Sequence, residues 1–168
     1  TDAQPGATIA FFGVTGTITL TSGQIQINKS LIINGPGSDH LTLSGSGNDN
    51  GRIFSIFATD PACPALDGPD YLVSISGLTL ANGRRGFSGS GGAIFTEHSL
   101  ALDDVVIRNS TAVHGGGLSF QIQYPGQTLS ITNSKFLDNV ATELGAPAAG
   151  LNTTSGGALN FQDRCTGP

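Results

Sequence analysis

Two adjacent carboxylates, Asp103 and Asp104, stand close in the sequence to Arg108 and His114. Paired carboxylates are the groups with which most glycosidases cleave their substrates, one acting as acid and the other as base or nucleophile. Successive side chains of a strand point to opposite faces, however, so Asp103 and Asp104 do not make such a pair by themselves. We therefore expect these four to be solvated residues of turns, and we predict no catalytic residue.

The three histidines, His40, His98 and His114, lie far from one another in polar turns. Isolated histidines in such turns are expected to be exposed loop residues rather than metal ligands. Asp49, within Gly-Asn-Asp-Asn-Gly at 47–51, could bind calcium together with asparagine carbonyls, but it lacks the dense acidic spacing of a calcium loop. We predict neither a metal ion nor a cofactor.

The two cysteines, Cys63 and Cys165, are 102 positions apart (165 − 63). Cys63 lies in the proline-rich segment 58–70, which we predict to be a loop that makes an excursion from the main fold. Two cysteines with no nearby histidine favour a disulfide in an exported protein over a metal site, either within one chain or between two. Two free thiols are the alternative. The absence of methionine, even at Thr1, indicates a mature product of leader cleavage, so we expect a secreted protein at the cell surface.

Three N-glycosylation sequons begin at Asn28, Asn109 and Asn152. They matter only if the producing cell glycosylates the proteins that it exports. In a chain this rich in Asn, Ser and Thr, chance matches are the simpler explanation of these candidate sites.

The composition limits the classes of partner. The chain has 168 residues and a mass of 17.0 kDa, which fits a single domain over 1–168. Charged residues make up 11% of it, and the net charge is −5. This balance argues against nucleic acid as a partner, because its phosphates need a basic patch. No run of about 18 apolar residues occurs, so we predict no transmembrane segment.

Short alternating runs of apolar and polar residues take the place of any helical periodicity. Period-two alternation, the signal of a half-buried strand, occurs for example at 17–21, 24–27, 41–43 and 129–132. Because these strands are short, closely spaced and never separated by a helix, the sequence predicts an all-β chain.

An internal repeat indicates the architecture of this chain. Four positions recur at offsets 0, 2, 7 and 9, and no copy needs a gap within it. The last three copies begin 27 and 29 residues apart (100 − 73 and 129 − 100), and the first precedes them by 48 (73 − 25). The copies are Ile25, Ile27, Ile32 and Asn34; Val73, Ile75, Leu80 and Asn82; Leu100, Leu102, Ile107 and Asn109; and Leu129, Ile131, Phe136 and Asp138.

The last position of each copy is an amide or an acid: Asn34, Asn82, Asn109 and Asp138. Asparagine suits a corner, since it tolerates the left-handed backbone region and bonds to the nearby backbone. If the corners stack, these side chains would form an internal ladder, and we give them this structural role.

Glycine-rich elements at 91–94 and 156–159, with a Phe-x-x-Asn element at 136–139, resemble the repeat motifs of chlamydial polymorphic outer-membrane proteins and similar bacterial surface proteins. The stretch 25–37 resembles the opening turns of large exported bacterial β-helix proteins. The resemblance covers roughly residues 15–161. It implies a right-handed parallel β-helix, a solenoid of the pectin-lyase-like type, and we expect about six or seven turns.

The superfamily to which this resemblance points includes pectate lyases and polygalacturonases, whose chemistry needs carboxylates that converge from neighbouring turns. The acids of this chain are scattered, so we expect a structural or adhesive subunit and not an enzyme. A parallel β-helix has open ends, and the apolar segment 8–12 could add to a neighbour's strand edge. We expect self-association through these ends, into filaments, with surface glycans as a further candidate partner. A carbohydrate-binding or polysaccharide-degrading β-helix protein is the alternative.

Overall fold

The computed structural model describes residues 3–46, 51–57, 69–86, 89–123, 125–142 and 156–163. Within these ranges the regular secondary structure is entirely β-strand, which confirms the all-β prediction. The first six strands are β1 (Ala7–Ala10), β2 (Gly16–Thr19), β3 (Ile25–Ile27), β4 (Leu31–Asn34), β5 (Leu41–Ser44) and β6 (Phe54–Ile56). They are followed by β7 (Leu72–Ala81), β8 (Ile94–Thr96), β9 (Ser99–Arg108), β10 (Thr111–Ala112), β11 (Leu118–Ile122), β12 (Leu129–Thr132), β13 (Lys135–Leu137), β14 (Val140–Ala141) and β15 (Leu159–Asp163).

The strands of the described ranges pair in parallel and form three ladders. The first ladder runs β1-β4-β7-β9-β12, and the second runs β2-β5-β7-β9-β13. The third runs β3-β6-β8-β11-β15. The long strands β7 and β9 belong to the first two ladders in turn, and a short pairing of β10 with β14 adds a further corner. The chain therefore visits the three ladders in the same order on each pass.

The described residues make five such passes, fewer than the six or seven turns that we expected. Successive strands of the first ladder begin 24, 41, 27 and 30 residues apart (31 − 7, 72 − 31, 99 − 72 and 129 − 99). The intervals of 24 and 27 residues match that expectation, so the smaller number of passes comes from the longer intervals. The longest interval includes the segment 58–70.

In the last three copies of the predicted repeat, equivalent apolar positions pair with one another in the structure. Val73 pairs with Leu100, which pairs with Leu129, and the other apolar positions of these copies follow the same register. The first copy is wrong. Leu31, not Ile25, pairs with Val73, whereas Ile25 pairs with Phe54 in the third ladder. The alternation of apolar residues in β3 and β4, on either side of a corner, is the same as in one continuous repeat. Spacing alone therefore did not show that Ile25 and Leu31 belong to different ladders.

The core consists of apolar side chains stacked in columns between the ladders. In the first ladder, Leu31, Val73 and Leu100 are 7%, 0% and 0% exposed. Leu43, Leu80 and Ile107 in the second ladder and Phe54, Ile94 and Leu118 in the third are equally enclosed. Each such residue, fully buried, stabilises the fold by about 1.5–3 kcal/mol. Stacking of passes therefore supplies the core that one pass lacks.

Paired glycines bring neighbouring passes into direct backbone contact at one corner. A Cβ atom on Gly92 would lie 2.2 Å from the carbonyl oxygen of Gly116. One on Gly116 would lie 2.3 Å from the carbonyl oxygen of Val140, in the following pass. These positions exclude every side chain, because the obstructing atoms belong to the backbone and cannot rotate away.

We expect Gly116→Ala to lower the free energy of unfolding by about 1–3 kcal/mol, since the added methyl group forces two passes apart. The matched control is Gly86→Ala, because a Cβ atom there meets nothing within 4 Å. That control should stay within about 0.5 kcal/mol of the parent protein. Urea unfolding followed by circular dichroism measures both, and equal stability of the two variants would contradict the steric argument.

Candidate functional site

The first pass leaves the core open at one end of the stack. In the described residues, β1, β2 and β3 each lie at the end of a ladder, with a partner on one side only. Their inward-facing Ile9, Ile18 and Ile25 are 40%, 38% and 38% exposed. The residues that pair with them in the second pass, Ile33, Leu43 and Phe54, are 4%, 4% and 1% exposed. Here the apolar columns reach the surface.

Two cavities occupy this end, which we call the N end. One has a volume of about 200 Å³ and is lined only by apolar residues, among them Ile9, Ile18, Ile25 and Phe54. The other, of about 390 Å³, shares Ile9 and Ile25 with the first and adds polar residues, among them Lys29. The surface is thus concave and largely apolar.

Among the described residues, the strands of the N end carry none of the charges that usually protect a strand edge. Residues 3–28 contain no Asp, Glu, Lys, Arg or His. Lys29 follows them, and its Nζ donates a hydrogen bond to the carbonyl oxygen of Ala3 at 3.2 Å. Natural proteins discourage edge-to-edge pairing with charged residues, prolines or bulges. The strands β1, β2 and β3 contain neither charges nor proline.

The opposite end, which we call the C end, is formed by β12, β13 and β15. Its inward-facing Ile131 and Phe136 pack against the core and remain partly exposed. Phe161 is 55% exposed, and its ring meets that of Phe120 edge-on with the centroids 5.9 Å apart. Large apolar side chains therefore reach the surface here too.

The carboxylates singled out in the sequence do not converge. Asp103 Oδ1 accepts hydrogen bonds from Thr132 Oγ1 and Asn133 Nδ2, each at 2.8 Å, and these bonds lower the pKa of Asp103. Asp104 instead accepts a hydrogen bond of 2.6 Å from Ser38 Oγ, on another connection. Each carboxylate thus joins a different neighbour.

The two basic candidates of that group lie at other positions. Arg108 pairs with Ala81 and Leu137 in the second ladder, and His114 forms an isolated parallel bridge with Ser90. No group of three or more His, Cys, Asp or Glu that could hold a metal ion occurs in the described ranges. No helix there has the length and apolarity to cross a membrane.

The expectation for His98 is wrong, because its side chain is buried. Only 1% of the residue is exposed, whereas His40, beside Asp39, does lie at the surface. The ring of His98 stacks on Tyr71 with centroids 3.7 Å apart, and Nδ1 lies 3.2 Å from Asp70 Oδ1. Asp70 and Tyr71 precede β7, a whole pass earlier, so no local pattern indicated this burial.

Asp70, His98 and Ser99 are the residue types of a catalytic triad, but they are arranged differently. In a triad the hydroxyl group bonds to the imidazole. Here the Ser99 hydroxyl donates to Asp70 Oδ2 and accepts the backbone N–H of Thr128 at 2.9 Å. Asp70, Ser99 and Thr128 thus form a hydrogen-bonded column that joins the beginnings of three successive passes.

Sequence reasoning did not single out Arg52, whose side chain is 6% exposed. Its Nε and Nη2 donate to the carbonyl oxygens of Gly91 and Ser90 at 3.0 and 2.7 Å, and the guanidinium lies 4.9 Å from the ring centroid of Phe95. Burial, with the nearby charge of Arg85, lowers the pKa of Arg52 to about 10. Arg52 therefore joins the second pass to the corner of the third pass at Ser90 and Gly91.

Three of the four predicted corner residues share one column. Asn82, Asn109 and Asp138 follow the second ladder with φ of 55°, 52° and 52°. Their side chains are exposed and do not form an internal ladder. The prediction for Asn34 was wrong, because this residue does not belong to the corner column. It ends β4, in the first ladder, where Ser76 Oγ donates to its Oδ1 at 3.1 Å.

A column of polar side chains does point inward, and each of its members lies one residue after a corner residue. Ser110 Oγ accepts the backbone N–H of Gly83 at 3.1 Å, and Asn139 Oδ1 accepts that of Ser110 at 3.0 Å. Because a left-handed residue turns the chain, its own side chain points outward and the next one inward. The corner itself was predictable, whereas the inward column was not.

The modification candidates are only partly within the described residues. Asn28 is exposed in the turn between β3 and β4, and Asn109 is exposed at its corner. Asn152, Cys63 and Cys165 lie outside the described residues, as do Asp49 and all of the loop 58–70 except 69 and 70.

Comparison with protein-family models, curated proteins and solved structures found no match for this chain. The resemblance to bacterial β-helix surface proteins therefore stays a prediction. Function has to be argued from the geometry, and the N end is the described surface that departs most from an ordinary solvated exterior.

The burial of His98 predicts a dependence of stability on pH. Burial lowers the pKa of His98, outweighing the hydrogen bond and charge of Asp70, which raise it. The unfolded chain therefore binds a proton more readily than the folded chain does, so stability is lost as the pH falls below about 6.5. We expect His98→Gln to reduce this slope and His40→Gln to keep it. Urea unfolding between about pH 5.5 and pH 7.5 measures both; an unchanged slope in His98→Gln would refute the assignment.

Proposed function

We propose that this chain is a structural subunit that coils into a right-handed parallel β-helix and associates end to end through its open core. The order in which the chain visits the ladders supports the coil, because parallel strands joined by crossovers are right-handed in about 98% of cases. Handedness and closure of the three ladders into one solenoid are part of this proposal.

The exposed columns of the N end carry the proposal. Ile9, Ile18 and Ile25 are each about two-fifths exposed, although their neighbours one pass later are almost fully buried. Burying each of them completely would contribute about 1 kcal/mol, and the free edges of β1, β2 and β3 would gain backbone hydrogen bonds. A second copy of the chain is the partner that we propose for this surface.

We further propose that the subunit works outside the cell, as a filament or an adhesive element. Cys63 and Cys165 support an exported protein, since an oxidising compartment would join them. Low charge also fits, because an extracellular scaffold needs few titratable groups. Binding of surface glycans belongs to the adhesive part of this proposal.

End-to-end association is tested by placing charge at the N end. We expect Ile18→Lys with Ile25→Lys to abolish concentration-dependent growth, because two ammonium groups would have to be buried. The matched control is Ile32→Lys: Ile32 is also 38% exposed but points outward from β4. It should associate like the parent protein. Light scattering over a concentration series gives the assembly state, and circular dichroism verifies folding.

Electron microscopy of the parent protein shows whether the assemblies are filaments. Particles that stay monomeric at every concentration would refute end-to-end association. So would an equal loss of association in Ile32→Lys, since that residue lies outside the N end.

A further inference from the structure

We infer that the N end of one copy receives the C end of another, in the register that continues all three ladders. This inference rests on the proposed end-to-end association and adds which surface meets the N end and which residues face each other. In this register β12 pairs with β1 of the next copy, β13 with β2, and β15 with β3.

The backbone edges of the two ends are complementary. In a parallel ladder, each strand bonds through one edge to the earlier pass and through the other edge to the later pass. In the part of the chain that the structure describes, the N end exposes the free edges of the first pass, and the C end exposes those of the last pass. The two surfaces carry complementary donors and acceptors, as any two successive passes do.

Contact between two identical ends does not continue the parallel backbone pairing of the ladders. Turning one copy over reverses the order in which the three ladders follow one another around the stack. Only one ladder could then align with its counterpart, the other two ladders would face each other, and all facing strands would run antiparallel, so the parallel register of the stack would not continue. Contact between unlike ends aligns all three ladders, and such a heterologous contact is open, so it propagates.

The apolar columns of the second and third ladders end in aromatic side chains. In the second ladder, Ile18 begins a column that ends in Phe136. In the third ladder, Ile27 begins a column that ends in Phe161. Continuing the register places each phenylalanine of one copy over an isoleucine of the next.

Shape supports the same pairing. Ile18, 38% exposed, lines the cavity of about 200 Å³, whereas Ile27, itself only 4% exposed, lines the cavity of about 390 Å³. The C end thus presents an aromatic side chain where the N end presents a hollow. Because burial of apolar surface stabilises an interface, filling the apolar cavity beside Ile18 favours this arrangement over a shifted one.

Charge does not oppose the contact. Among the side chains that the structure describes, the charged ones of the last pass are Lys135, exposed on β13, and Asp138, exposed at a corner. Continued register places Lys135 beside Thr17 of the next copy, since Thr17, Thr42, Thr79, Val106 and Lys135 form one outward column. Residues 3–28 contain no charged side chain, and Lys29, which follows β3 in the third ladder, does not belong to this second-ladder column.

Disulfide cross-linking between copies tests the register. The outward column Ala10, Asn34, Ser76, Asp103 and Thr132 predicts that Thr132 of one copy lies beside Ala10 of the next. Neighbouring strands are about 4.8 Å apart, within the Cα separation that a disulfide spans. We would mix Thr132→Cys with Ala10→Cys, both in a Cys63→Ser, Cys165→Ser background that still associates by light scattering.

The matched control is Thr132→Cys mixed with Thr8→Cys, on the same exposed face of β1 but two residues out of register. We expect the Ala10 pair to cross-link at least about tenfold faster, because the control pair lies about 7 Å further along the strand. Equal rates, or cross-linking of Ala10→Cys with itself, would overturn the inference. Association that persists without the cross-link overturns the register alone, whereas absence of association overturns the proposed function as well.

Truncation of the aromatic side chains gives a second test. We expect Phe161→Ala to weaken association at least about tenfold, since its ring would no longer fill the cavity beside Ile27. Leu137→Ala is the control, because Leu137 is 45% exposed at the same end but points outward. Sedimentation equilibrium measures both constants, and equal weakening would overturn the assignment of Phe161 to the contact.

Discussion

Hydrogen bonds between backbones one pass apart are the interaction on which the rest of this structure depends. Parallel pairing places each residue of a pass beside its counterpart in the next, so any side chain is stacked on a column of neighbours. Inward columns are therefore mostly apolar, as Val73 and Leu100 are, and corners use residues that accept a left-handed backbone. Low charge follows, because the stacked positions leave few places for ionised groups.

Polar side chains add hydrogen bonds between passes where the passes begin and at a corner. Asp70, Ser99 and Thr128 join the beginnings of three passes, and Ser110 with Asn139 joins a corner. Buried polar groups are tolerated when they are hydrogen-bonded, and these bonds run from pass to pass. They join neighbouring passes at defined positions, in addition to the contacts of the apolar columns.

The strands and the last three repeat copies could be predicted because alternation and spacing are local properties of the chain. The first copy could not, since Ile25 and Leu31 belong to different ladders although both begin an apolar alternation. The burial of His98 depends on Asp70 and Tyr71, which meet it only through folding. An open end was expected because a parallel β-helix has open ends and 8–12 is apolar, but the apolar cavity there depends on how the first pass packs against Ile33, Leu43 and Phe54 of the second pass.

The direction of the ladder bonds has a mechanical consequence. They lie along the direction in which the passes stack, so a pull along the stack is borne by every bond between two passes at once. The continuous pairing of β7 with β9 makes the junction of the third and fourth passes the most resistant. The short strands of the first pass would part earlier, so under tension the molecule would open at its outer layer while its centre kept its shape.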